Sequence, residues 1–301
     1  MPPRKKKKSA ATSRRSTRSA PAVRSEVAPD EQLSGMSRHD LYEACVQSPE
    51  DAVPLLRAIH GGDPAVLGED FAGTAALSRA WVLADPDARA IAVELDAGTL
   101  EEARRRAEAT GAEGSRLELV HGDVRTATGP RRHAADVVYV GNFSIGELTG
   151  RADLVAYLRH VRSRLRPGGV FACDVYGGQS AYMLGTAERP EPGPDDRTIL
   201  YTWEQREADP LTGHVLNVLH FEVLEADGSS AGRMPEAFTY HWRLWSVPEL
   251  RDALAEAGFA SSEVHGRRPD AVDADGEAYV RPITHPEELE ESFDVLVVGR
   301  R

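Results

Sequence analysis

Cysteine is scarce in this chain. Cys45 and Cys173 are the two present, and they lie far apart in sequence. Such spacing offers neither a disulfide framework nor a zinc site, and it fits a reducing compartment, so a cytoplasmic location is expected. Long apolar runs are missing as well. No stretch approaches the roughly 18 residues that a membrane-spanning helix needs, and no apolar segment follows the basic N-terminus as a secretory leader requires. No His/Cys cluster marks a metal site, so no metal is expected. No internal repeat is visible, and there is no dinucleotide-binding fingerprint. The one strand–turn–helix phrase of that general form, at residues 66–83, keeps only Gly73 as a glycine in its turn.

What is present begins with unevenly placed charge. Residues 1–25 hold nine Lys and Arg and no acid, so against a whole-chain charge of −12 the remaining 276 residues carry −21. The basic segment is rich in Ser, Ala, Thr and Pro and has no hydrophobic period. It cannot bury enough surface to offset its ordering entropy, and residues 1–36 read as a disordered basic tail. Such a tail suits non-specific phosphate contact with nucleic acid or a targeting role, and equally a solubilising extension. The acidic body repels a phosphate backbone, which would confine any such contact to the tail. Residues 37–301, within a chain 41% apolar, are enough for a buried core.

Periodicity supplies the elements. Helices are expected over 38–47, 51–59, 74–83, 97–109, 152–165 and 247–257, and strands over 66–68, 90–93, 117–120, 136–140 and 170–175. Strands alternating with helices of this length imply a parallel sheet covered on both faces. The pattern then changes. Residues 177–197 are Pro/Gly-rich and read as irregular. Strands over 198–207, 214–224 and 237–245 read as an antiparallel insertion, and strands over 261–265 and 293–298 close the chain. Residues 267–291 between them read as an exposed loop with a short helix.

Two acids frame the turn after the first strand. Glu69 precedes it, and Glu94, 25 residues on, ends the second strand. A strand-end carboxylate in that place can accept hydrogen bonds from both hydroxyls of a ribose, although an ordinary helix-start acid has the same local form. Asp123 follows the third strand and either meets a nucleobase amine or caps its own turn. Asn142-Phe143-Ser144 follows the fourth strand. Along 240–245, Tyr240, Trp242 and Leu244 share one face of a strand, with His241, Arg243 and Trp245 on the other. That stripe either meets a ligand or closes a small sheet core.

In this order the pieces resemble the class I S-adenosylmethionine-dependent methyltransferases over roughly Asp40 to Arg300. The resemblance rests on the turn Glu69-Asp70-Phe71-Ala72-Gly73-Thr74-Ala75, on Glu94, on Gly122-Asp123-Val124, on Asp136 to Ser144, and on Leu165-Arg166-Pro167-Gly168-Gly169-Val170. Phe71 and Ala75 stand where the family has glycines, whereas Gly73 is kept. Tyr42-Glu43-Ala44-Cys45-Val46-Gln47 also resembles a segment found ahead of such turns in some bacterial members.

The resemblance implies a fold: a Rossmann-like, doubly wound α/β sheet of seven strands, with an antiparallel β insertion after the fifth strand, residues 177–245, forming an acceptor-side lid. It implies S-adenosyl-L-methionine as cofactor, held by Glu69, Phe71, Ala72, Gly73, Thr74, Glu94, Leu95, Asp123, Val124, Asn142 and Phe143. Acceptor-side candidates are Tyr42, Tyr176, Tyr240, Trp242 and Arg243. No catalytic base stands out. The expected activity is methyl transfer to a small molecule. Two alternatives remain open: a nucleic-acid or ribosome-directed enzyme guided by the basic tail, and a non-catalytic protein that binds the same cofactor.

Overall fold

The computed structural model describes residues 32–112, 114–274 and 277–301. The expected basic tail therefore lies almost wholly outside the described residues. Its inner end does not behave as a tail, however. Leu33 and Met36 are buried and bridge to each other, so the folded domain begins before residue 37.

Helices α1 (Arg38–Val46) and α2 (Pro49–His60) lead into β1 (Val66–Asp70), α3 (Ala76–Ala84), β2 (Arg89–Glu94), α4 (Ala97–Thr110), β3 (Leu117–His121) and β4 (Ala135–Val140). A 3-10 turn (Ser144–Glu147), α5 (Arg151–Arg164) and β5 (Leu165–Gly178) follow. An insertion of β6 (Gly185–Pro192), β7 (Thr198–Ala208), β8 (His214–Leu224) and β9 (Ser230–Arg243) precedes α6 (Val247–Ala257) and β10 (Ser261–Gly266). The chain ends with the short hairpin β11 (Ala271–Val272) and β12 (Ala278–Tyr279), a 3-10 turn (Pro286–Glu288) and β13 (Ser292–Arg300).

The main sheet has the order β10-β13-β5-β4-β1-β2-β3. β3, β2, β1, β4 and β5 pair in parallel, and β13 runs antiparallel between β5 and β10. The seven-stranded doubly wound sheet is the expected one. The strand order reverses between β1 and β4, which is where an open α/β sheet leaves a crevice at its carboxyl edge. One face buries Trp81, Leu67 and Ala103 against α2, α3 and α4, and the other buries Tyr157, Phe171 and Trp245 against α5 and α6.

The insertion is a separate antiparallel sheet of four strands, β6-β7-β8-β9, where three were expected. β6 falls in the stretch read as irregular. It is an exposed edge strand that pairs only with β7 and carries Pro190 and Pro192, which an edge tolerates and a sequence reading penalises. β9 also starts seven residues earlier than expected, running through Gly232 and Pro235 past register shifts opposite β8. The insertion has its own core. Leu33, Met36, Leu41 and Cys45 pack there with Ile199, Tyr201, Phe221 and Met234, so the apolar side of α1 belongs to the insertion while its acids Asp40 and Glu43 pair with Arg79 and Arg106 of the main domain. The segment at 267–291 contains the expected short helical turn and, in addition, the hairpin β11–β12. Among the described residues no helix is long and apolar enough to cross a membrane.

Candidate functional site

β1 delivers Glu69 and Asp70 to the carboxyl edge, and the chain then turns through Phe71 to Ala75 into α3. Phe71, Gly73 and Ala75 have φ of +57°, +56° and +57°. The two residues that replace family glycines thus keep a glycine-like backbone, at a cost of roughly 1–2 kcal/mol each for the left-handed conformation. The Ala72 amide donates to Val93 at 2.9 Å and the Ala75 amide to Ala72 at 2.8 Å, so the turn is held from both sides. Gly73 points into open space: nothing lies within 4 Å of the position a Cβ would take.

Glu94, at the end of β2, accepts from the Gly73 amide through Oε2 at 2.8 Å and from the Asp96 amide through Oε1 at 2.8 Å. Burial raises its pKa, with those backbone bonds opposing. Each oxygen retains a lone pair. Leu95, beside it, is 60% exposed, an apolar ledge on the open edge. Glu69 is buried and accepts from the amide of Ser78 at 2.8 Å and its hydroxyl at 2.6 Å. Burial pushes its pKa up to about 7, against those two bonds. Thr74 is buried with its hydroxyl donating to Glu43 of α1, which also pairs with Arg79 at 2.7 Å.

Asp123 lies at the exposed end of this edge. Its carboxylate pairs with Arg125 at 2.5 Å, which lowers its pKa, and its carbonyl accepts from the amides of Thr126 and Ala127. It therefore caps its own turn, and a base amine there would share the carboxylate with Arg125. Val124 is buried in the core beneath.

After β4, Asn142 and Phe143 both take left-handed φ, +55° and +61°. Their amides donate to the buried Asp174 of β5 at 2.9 Å and 2.7 Å. Arg267 reaches the same carboxylate at 3.4 Å, pairs with Asp294 at 3.1 Å and lies 5.5 Å from the Phe143 ring centre. Burial raises the pKa of Asp174, and Arg267 opposes this. The sequence reading missed both residues. The available clue was a lone acid inside the apolar run of β5, since a buried carboxylate requires partners.

Two cavities meet here. One, of about 580 Å³, is lined by Glu69, Phe71, Leu77, Tyr139 and Gly141, with α1, α2 and the 283–296 segment opposite. The second, of about 380 Å³, is lined by Tyr42, Phe143, Tyr201, Trp203, Tyr240 and Trp242. Asn142, Arg189, Arg267 and Asp294 border both. Tyr240 and Trp242 stack at 4.4 Å. Tyr176 backs this chamber: its ring meets Phe143 edge-on at 5.1 Å, while its hydroxyl is held by Gln205 at 3.1 Å and Asn217 at 3.2 Å.

Arg243, expected on the acceptor side, is elsewhere. Alternate residues of β9 point opposite ways, and with Trp242 facing the chamber Arg243 turns outward. There it covers Trp245 at 3.8 Å and pairs with Glu249 at 3.1 Å. Tyr201, Trp203 and Tyr139, which do line the cavities, carried no motif that marked them. Among the described residues no group of three His, Cys, Asp or Glu side chains could hold a metal ion.

Residues 71–169 match the family model of a methyltransferase domain. No curated protein sequence matches the chain. Solved structures do. An S-adenosylmethionine-dependent methyltransferase from Clostridium acetobutylicum is 16% identical with a TM-score of 0.59, over 87% of this chain and 96% of that one. An amino pentose methyltransferase from Micromonospora echinaspora is 18% identical with a TM-score of 0.59, over 87% and 95%. A sugar N-methyltransferase from Streptoalloteichus is 19% identical with a TM-score of 0.58, over 87% and 92%. Residues 71–169 thus match a methyltransferase domain, and the chain with its seven-stranded sheet shares the fold of these solved structures.

Proposed function

We propose that this protein transfers a methyl group from S-adenosylmethionine to a small-molecule acceptor held between the main sheet and the insertion. The observation that carries this reading is the meeting of the two cavities at Asn142, directly after β4 at the switch point of the sheet. The donor's sulfonium supplies an already activated methyl group, so the protein's part is alignment and exclusion of water. Glu94 takes the ribose hydroxyls, Leu95 lies beneath the base, and Gly73 admits the ligand against the backbone. Glu69 faces the same cavity as Asn142 and holds the methionine end.

The aromatic chamber takes the acceptor, with the insertion and α1 as its lid. Its volume of about 380 Å³ lies at the lower end for small-molecule sites, and the −21 charge outside residues 1–25 disfavours a nucleic-acid substrate at the body. The sugar and amino pentose acceptors of two similar structures lend support in kind. Isothermal titration with S-adenosylhomocysteine, followed by transfer of labelled methyl from the donor to a pool of small metabolites, tests the proposal. Absence of cofactor binding refutes it, and labelling of RNA or DNA in place of small metabolites refutes the acceptor class.

A further inference from the structure

The chamber carries a charge pattern that bears on what enters it. Its two arginines already have partners: Arg267 is held by Asp174 and Asp294, and Arg189 by Glu191 and the Cys45 carbonyl. Two carboxylates do not. Glu188, on the chamber lining, and Glu147, at its edge, have no cation partner among the described residues.

Glu147 is fixed in place. The Trp242 indole N–H donates to its Oε1 at 2.9 Å. The preceding residue, Gly146, presses so closely on the same side chain that a Cβ there would stand 2.8 Å from the Trp242 Cβ. Only glycine lets the turn approach β9 this far. Burial raises the pKa of Glu147, and the bond from Trp242 opposes this. The carboxylate is therefore tied to the indole edge of the Tyr240–Trp242 stack. Aromatic rings beside a carboxylate that no cation neutralises form a binding surface for a cation.

We infer that the acceptor carries a basic nitrogen, bound as its cation against Tyr240 and Trp242 with Glu147 as counter-ion. The methyl-transfer step rests on the function proposed above; the cation binding does not. The ammonium stays charged while bound against the Glu147 carboxylate; immediately before transfer it releases one proton to solvent, and Glu147 remains ionised. The freed lone pair forms the new N–C bond as the donor's C–S bond breaks, and the electron pair of that bond stays on sulfur. The product is a methylated ammonium, a neutral thioether and one released proton. A hydroxyl acceptor offers this surface no charge to hold.

Benzylamine, an ammonium at pH 7, and benzyl alcohol, its neutral counterpart, separate the possibilities. Each is titrated into the full-length protein by calorimetry, with and without S-adenosylhomocysteine. The wild type should bind benzylamine at least about tenfold more tightly, a difference of roughly 1.4 kcal/mol. Glu147→Gln, whose amide oxygen can still accept from Trp242, should bring that ratio close to one while leaving benzyl alcohol binding unchanged. Equal binding of the two probes to the wild type, or an undiminished ratio in Glu147→Gln, overturns the inference. Selectivity without binding of S-adenosylhomocysteine supports the cation site and refutes the cofactor assignment instead.

Discussion

The amide of Gly73 donates to Glu94 Oε2 at 2.8 Å, joining the turn after β1 to the end of β2. The Asp96 amide takes the other oxygen. Two fixed donors set the carboxylate's plane before any ligand arrives. Pre-orientation of this kind spares the ordering cost that a free side chain would incur on binding.

Glu94→Ala should therefore weaken S-adenosylhomocysteine binding by about 3 kcal/mol, on the order of a hundredfold in Kd, from the loss of hydrogen bonds to a charged acceptor. Calorimetry on the purified variant measures it. A loss of less than about threefold, or roughly 0.7 kcal/mol, would move the ribose site away from Glu94.

Ala75 and Phe71 hold left-handed backbone where the family has glycine. For Ala75→Gly, relief of roughly 1–2 kcal/mol of backbone strain opposes the loss of a buried methyl and the greater entropy of glycine in the unfolded chain. These nearly cancel, and denaturant unfolding should place the variant within about 1 kcal/mol of wild type. A cost above about 3 kcal/mol would show that the fully buried Ala75 methyl, not the backbone, dominates the position.

The main sheet was legible because each of its central strands is a short apolar run bounded by a turn, and the place of Glu94 at the end of β2 was legible because it closes such a run. The insertion was less so. β6 has neither alternation nor burial, and its prolines mask an edge strand whose existence depends on β7. The aromatic chamber lay further out of reach. Trp203 comes from β7, Tyr240 from β9, Phe143 from the turn after β4 and Tyr42 from α1, so no local pattern joins them. Arg267 was read into an exposed loop because nothing nearby in sequence announces that it will neutralise Asp174, 93 positions earlier.

Beneath the turn, Asp70 and Arg164 are both fully buried and paired, and the Tyr157 hydroxyl donates to the same carboxylate oxygen at 2.7 Å. Gly68 makes room for this pair, since a Cβ there would stand 3.0 Å from the Arg164 guanidinium. Arg164→Ala leaves a buried carboxylate without its cation and should destabilise the fold by about 3–5 kcal/mol. Guanidinium unfolding of the variant checks this. A cost below about 1 kcal/mol would mean that Tyr157 alone satisfies Asp70.

Glu69 makes stability depend on pH in an unusual direction. Its pKa is pushed from 4.5 up to about 7 by burial, so between these values the folded state keeps a proton that the unfolded chain has lost. Its contribution is fully present below pH 4.5 and is lost as pH rises towards 7, with a maximum of about 3 kcal/mol for a shift of this size. Glu69→Gln cannot ionise, yet its amide oxygen can still accept from Ser78. Unfolding measured at pH 5 and pH 7.5 should show the wild type losing stability relative to Glu69→Gln as pH rises. Parallel curves for the two proteins would show that Glu69 is already ionised at pH 5, stabilised by Ser78 and Arg79 beyond what burial costs it.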